Sequence, residues 1–155
     1  MARAYNIKGR ITDSNGEKIV ICSQSELDPT HYFNSKTARS VLFNHLTLSA
    51  SDEDIDFLVD QTLESKRSKI QSSLNSYVAN KYPSPDSAVG VYAKEGSIYI
   101  VVVGEKKNLR NFWSGKWTSV WNVILSSGSA TISGDVKVIK NYAVYSQIFK
   151  TVLFI

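Results

Sequence analysis

Sulfur and imidazole are nearly missing from this chain of 155 residues, which has one cysteine (Cys22), one methionine and two histidines (His31 and His45). A lone cysteine closes no internal disulfide, and two histidines do not by themselves furnish a tetrahedral zinc site, so all three residues are expected to be structural. No apolar run approaches the roughly eighteen residues of a membrane span. The opening segment MARAYNIKGR lacks the apolar stretch of a secretory signal, so the expectation is a cytosolic chain with no membrane partner. A glycine-rich phosphate loop and a nucleophile motif are also lacking, since the nearest candidate, GSATISGD, has neither the lysine nor the spacing of a P-loop. No catalysis, cofactor or metal is therefore expected; Glu105 and Asp135 are isolated carboxylates that nothing in the sequence brings together.

What is present suits one globular domain spanning residues 1–155, since 43% of the residues are hydrophobic. The formal net charge of +4 hides an asymmetry. Asp52, Glu53, Asp54, Asp56, Asp60 and Glu64 crowd six of the fourteen acids into one short segment, whereas from Gly104 onward seven Lys and Arg face only Glu105 and Asp135. Such a surface suits an acidic partner, whether nucleic acid, acidic protein or anionic membrane, or is simply a solvated face. Lys106, Lys107 and Arg110 are the candidate contacts for an acidic partner.

Turn chemistry divides the first fifty residues into short strands. Asn15 followed by Gly16 predicts a hairpin between strands at 5–11 and 18–23, and the turn at Asp28 and Pro29 precedes a further strand at 39–43. Ser51 ahead of Asp52, Glu53 and Asp54 reads as an N-cap with acids in the first turn, predicting a helix over 52–82. Its apolar stripe is Ile55, Leu58, Val59, Leu63, Ile70, Leu74, Tyr77 and Val78, and Pro83 and Pro85 stop it. At 1.5 Å per residue it would run roughly 45 Å, long enough to lie across an extended sheet or to break near Lys66. Beyond the prolines, Glu95 and Gly96 join two β-rich runs, of which 97–103 is apolar almost throughout and reads as a central strand covered on both faces.

Trp113, Trp117 and Trp121, the three tryptophans of the chain, fall in NFWSGKWTSVWNVIL at intervals of four. That spacing suits one helix face or one strand face equally. The neighbours decide for a strand, because Gly115, Thr118, Val120 and Val123 are weak helix formers and Ser126, Ser127, Gly128 and Ser129 supply a turn into another β-rich run. Trp113, Gly115, Trp117, Ser119, Trp121 and Val123 then share one face, expected to lie under the long helix. An aromatic nucleic-acid platform would interleave exposed rings with cations, whereas Lys116 is the one cation inside this strand and points to the opposite face. The final run, AVYSQIFKTVLFI, is apolar and free of acids, and its pattern fits strand and helix alike. The fold class is α+β, an antiparallel sheet crossed by a long helix.

The segment LRNFWSGKWTSVWNV closely resembles the signature of the alpha subunit of F-actin capping protein, with Asn111, Phe112, Trp113, Gly115 and Trp117 matching residue by residue. Ser114 and Lys116 are mild departures, standing where animal members usually have Asn and Arg. FNHL, LNSYVANKYP and VYAKEGSIYIVVV follow in the family's order. The resemblance covers about 17–140, and 141–155 diverge, keeping of the family's second signature only an aromatic near Tyr142. It implies a capping-protein-like fold without the N-terminal helical stalk and the basic C-terminal extension, and capping weakened by the loss of that extension. It also implies a heterodimer with a beta subunit, binding to the barbed end of the actin filament, and a cytoplasmic, cytoskeletal location. The family signature residues, Lys116 included, are read as scaffold. Two alternatives stand beside this reading: a basic β-rich nucleic-acid-binding module, and an inactive truncated product.

Overall fold

The computed structural model describes residues 11–55, 57, 60–108, 113–140 and 143–154, with the backbone alone described at 106–108, 113, 114, 143 and 154. Three short strands come first: β1 (His31–Asn34), β2 (Arg39–Asn44) and β3 (Ser49–Asp52), paired antiparallel in that order. One helix, α1 (Gln61–Lys81), leads into a five-stranded antiparallel meander of β4 (Ala88–Lys94), β5 (Ser97–Asn108), β6 (Trp113–Ser126), β7 (Ser129–Lys140) and β8 (Ala143–Phe154). The architecture is α+β, as the sequence pattern implies.

Local chemistry sets the hairpins. Lys94 pairs with Ser97 across a two-residue loop in which Glu95 and Gly96 both have positive φ (54° and 73°), the backbone that matches strand twist. Ser126 pairs with Ser129 around Gly128 at φ 76°. The expected turn at Asn15 and Gly16 is present, with Gly16 N–H donating to Asp13 O at 3.1 Å, but its flanks form only an isolated bridge between Thr12 and Lys18. The expected strand at 18–23 is thus absent, and most of the one at 5–11 lies outside the described residues. Residues 19–22 form no ladder but run between two layers. Ile19 and Ile21 pack with Tyr32, Val41 and Phe43, while Val20 and Cys22 pack with Ala88, Tyr92, Val101 and Val103.

The helix starts at 61, not 52. Ser51 and Asp52 belong to β3, where they pair with Leu42 and Val41, so strand pairing overrides the local capping pattern. The cap is Asp60, whose carboxylate accepts from Thr62 N–H at 3.0 Å, and the helix ends at Tyr82, before Pro83. Its 21 residues run about 30 Å. The buried side chains of α1 are Leu63, Arg67, Gln71 and Val78, so the inward face carries two polar groups.

Those polar groups close the free edge of β4. Gln71 accepts from Val91 N–H at 2.8 Å and donates to Val89 O at 3.2 Å, as a neighbouring strand would. Arg67 donates to Ser35 O (2.6 Å) and Val91 O (3.2 Å), forks onto Glu64 with two 2.7 Å bonds and lies over the Phe33 ring. Helix and N-terminal layer thus cover opposite faces of β4 and β5. Leu63 and Val78 meet Val91, Ile98, Val89 and Val102 on one side, and Val20 and Cys22 meet Tyr92 and Val101 on the other.

Candidate interaction surface

Cover declines across the sheet, strand by strand. On β5, Val101, Val102 and Val103 are all buried, as a central strand requires. On β8, Tyr145, Phe149 and Leu153 on one face and Val144, Ile148 and Val152 on the other are all exposed, with Ile148 at 82%. β8 ends the order β4-β5-β6-β7-β8, so its outer backbone edge is unpaired among the described residues. The run that fitted strand and helix equally is a strand. Pairing fixes its register, placing Tyr145 opposite Val138, Phe149 opposite Gly134 and Leu153 opposite Ala130.

The tryptophan segment is a strand too, and its register builds the aromatic face. Trp117 stands between Gly104 of β5 and Val138 of β7, and Trp121 between Ile100 and Gly134. Glycine at those neighbours makes room for rings. A Cβ on Gly104 would sit 2.8 Å from the Tyr82 ring, and one on Gly134 would collide with the Trp121 ring. Tyr82 tilts against Trp117 with centroids 6.4 Å apart, and Trp121 against Phe149 at 5.7 Å. The helix packs mainly on β4 and β5 and reaches β6 at Val123, which shares a cluster with Leu63. Trp117 and Trp121 are therefore only half-buried. Between them and Leu74 and Tyr77 of α1 runs a mainly apolar groove of about 300 Å³, floored by Ile100, Val123 and Ile132.

The remaining residues singled out in the sequence scatter. Gly115 is buried on β6 opposite Lys106 and Lys140, and Lys116 is exposed on the face away from Trp117. Lys106 and Lys107 lie at the end of β5, paired with Gly115 and Ser114; Trp113 pairs with Asn108; Arg110, Asn111 and Phe112 lie outside the described residues. Glu105 pairs with Lys116 and Asp135 with Val120, which separates them by four residues along the strands, roughly 13 Å, so they form no acid pair. His31 Nδ1 lies 2.7 Å from Asp28 and Nε2 3.6 Å from Glu53, and His45 Nε2 lies 3.1 Å from Pro29 O. Among the described residues no three metal-capable side chains cluster. Cys22 is fully buried, and burial pushes its thiol up from the usual range.

Sequence reasoning missed Tyr82, Tyr145 and Phe149 as members of the aromatic face. Tyr82 reads as a helix terminus, and the other two emerge only if 143–154 is taken as a strand.

This surface belongs to a chain with clear relatives. Residues 1–143 match the family described as F-actin capping protein alpha subunit. The F-actin-capping protein subunit alpha of Kluyveromyces lactis is 31% identical over 141 residues, covering 89% of this chain and 52% of that protein. The corresponding Neurospora crassa protein is 28% identical over 128 residues, covering 81% and 45%. The chain thus spans about half the length of the curated relatives it matches. Among solved structures, the homodimeric actin capping protein alpha subunit from Plasmodium berghei superposes with a TM-score of 0.71 at 23% identity, covering 97% of this chain and 62% of that one, a likeness of fold. The chain belongs to the F-actin capping protein alpha subunit family.

Proposed function

We propose that the chain works as the alpha-subunit part of an actin-capping complex, pairing with a beta subunit and blocking subunit exchange at filament barbed ends in the cytoplasmic cytoskeleton. The observation that carries this reading is the family match over residues 1–143. The surface supports it, because an edge strand that is unpaired among the described residues and flanked on both faces by exposed apolar side chains suits a protein partner. The mechanism is steric and electrostatic and needs no cofactor. Trp113, Trp117 and Trp121 act as scaffold of the sheet, together with Asn111, Phe112, Gly115 and Lys116, while Lys106, Lys107 and Arg110 offer positive charge to acidic actin.

Elongation of pyrene-labelled actin from barbed-end seeds tests it, with a matched beta subunit present. Slowed elongation is expected, and elongation unchanged at micromolar complex overturns the proposal.

A further inference from the structure

A second site lies on the opposite side of Tyr82, in the loop that joins α1 to β4. Residues 82–87 read Tyr-Pro-Ser-Pro-Asp-Ser, and Pro83 and Pro85 are both exposed with Ser84 half-buried between them. Proline after Ser84 holds that residue in extended backbone. A Ser-Pro step flanked by exposed prolines is the acceptor form that proline-directed kinases bind. The loop overlooks a cleft of about 690 Å³ lined by Lys18, Lys36 and Asn75, so an added phosphoryl group has space.

Several of this loop's hydrogen bonds converge on Ser84, whose N–H donates to Tyr82 O at 2.7 Å and whose carbonyl accepts from Ser87 N–H at 3.1 Å. The Ser84 hydroxyl donates to Glu105 Oε2 at 3.4 Å and accepts from Asp86 N–H at 3.2 Å. Ser87 Oγ accepts from Glu105 N–H at 3.2 Å. Lys18 Nζ donates to the carbonyls of Ser84 and Ser87, each at 3.3 Å. Glu105 is buried on β5, one residue after the glycine on which Tyr82 rests.

We propose that Ser84 is a phosphorylation site whose modification loosens the 82–87 loop and lifts Tyr82 from Gly104 and Trp117. The reaction needs a proline-directed kinase and Mg–ATP. Ser84 Oγ attacks the γ-phosphorus, its proton passes to the kinase's base, the bond from that phosphorus to the bridging oxygen breaks, and ADP leaves. The product places nearly two negative charges where a hydroxyl had donated to Glu105. Carboxylate and phosphate repel at that range, and the burial of Glu105 limits how well water screens its charge. Phosphate also competes with the two carbonyls for Lys18. Both effects detach the loop from β5, and Tyr82 moves with it. The inference is independent of the capping reading, because it rests on this loop alone.

The test treats the folded 155-residue chain with a proline-directed Ser/Thr kinase and Mg–ATP, and maps the product by peptide mass spectrometry. One phosphate on Ser84 is expected, absent from Ser84→Ala. The modified protein should melt roughly 2–4 °C lower and show altered tryptophan emission as Tyr82 leaves Trp117. Glu105→Gln removes the repelling charge, so phosphorylation of that variant should lower its Tm by less than half as much. No incorporation into the native chain overturns the proposal. So do incorporation with unchanged melting and emission, and a Tm loss that Glu105→Gln leaves undiminished.

Discussion

Arg67 shows how one side chain can join three parts of a fold. It is 2% exposed, and its guanidinium bonds the N-terminal layer at Ser35, the sheet at Val91 and its own helix at Glu64 while stacking on Phe33. Truncation would strand the Ser35 and Val91 carbonyls and leave Glu64 unpaired. Arg67→Ala should lower unfolding free energy by about 3–5 kcal/mol in urea denaturation, the cost of breaking a buried pair from one side. Arg67→Lys should recover only part of that, since an ammonium has no fork. Asp28 works at the surface by a different route. The Thr30 N–H holds its carboxylate at a pKa of about 2, helped by the His31 N–H, the His31 ring and the Thr30 hydroxyl. Its folded pKa lies below the ordinary value, so its stabilisation is present above pH 4 and is lost as pH falls toward 2. Asp28→Asn keeps the turn's acceptor but not the charge. The Tm gap between wild type and this variant should therefore shrink from pH 4 to pH 2, and a constant gap would contradict the assignment.

Elements were legible in the sequence wherever local pattern and tertiary context agree. β5 reads as buried on both faces because its run is apolar without alternation, and the β4–β5 and β6–β7 hairpins read from Gly96 and Gly128, which take positive φ. β6 reads as a strand because the residues between the tryptophans resist helix. The start of α1 does not read correctly, since Ser51 with its following acids looks like a cap until β2 claims it as a strand partner. Arg67 and Gln71 likewise look like a solvent face, because only the sheet edge beside them makes their polarity useful inside. The depth of the tryptophans was also beyond the sequence, which does not say where across the sheet the helix lies. Trp117→Ala should still lower Tm, because the ring packs on Tyr82 over Gly104. A variant that melts normally yet fails to bind a beta subunit would make β6 an interface platform instead of scaffold. Gly134 gives a sharper test of the same face. Gly134→Ala places a methyl on the Trp121 ring, which also contacts Phe149, so about 1–3 kcal/mol of stability and a change in tryptophan emission should follow.

At the scale of the whole molecule, burial is lopsided. The sheet is enclosed at β4 and β5, where helix and N-terminal layer press from either side and Gln71 and Arg67 satisfy the outer edge. It is bare at β8, which among the described residues has a free backbone edge, and which carries a single cation in Lys150, no acid and apolar side chains exposed on both faces. Edges of this kind recruit another strand unless a charge or a cover intervenes. The isolated chain should therefore self-associate reversibly, measurable by sedimentation velocity across a concentration series, and a beta subunit that occupies the same edge should suppress that association. Ile148 discriminates between edge pairing and general stickiness. At 82% exposure it contributes little to the chain's own core, so Ile148→Lys should leave the melting temperature nearly unchanged. A lysine at the middle of the strand places charge in any neighbouring strand's path, and the sedimentation coefficient should fall to the monomer value at concentrations where wild type associates. Association undiminished in this variant would place the sticky surface elsewhere, with the groove beside Trp117 and Trp121 as the next candidate.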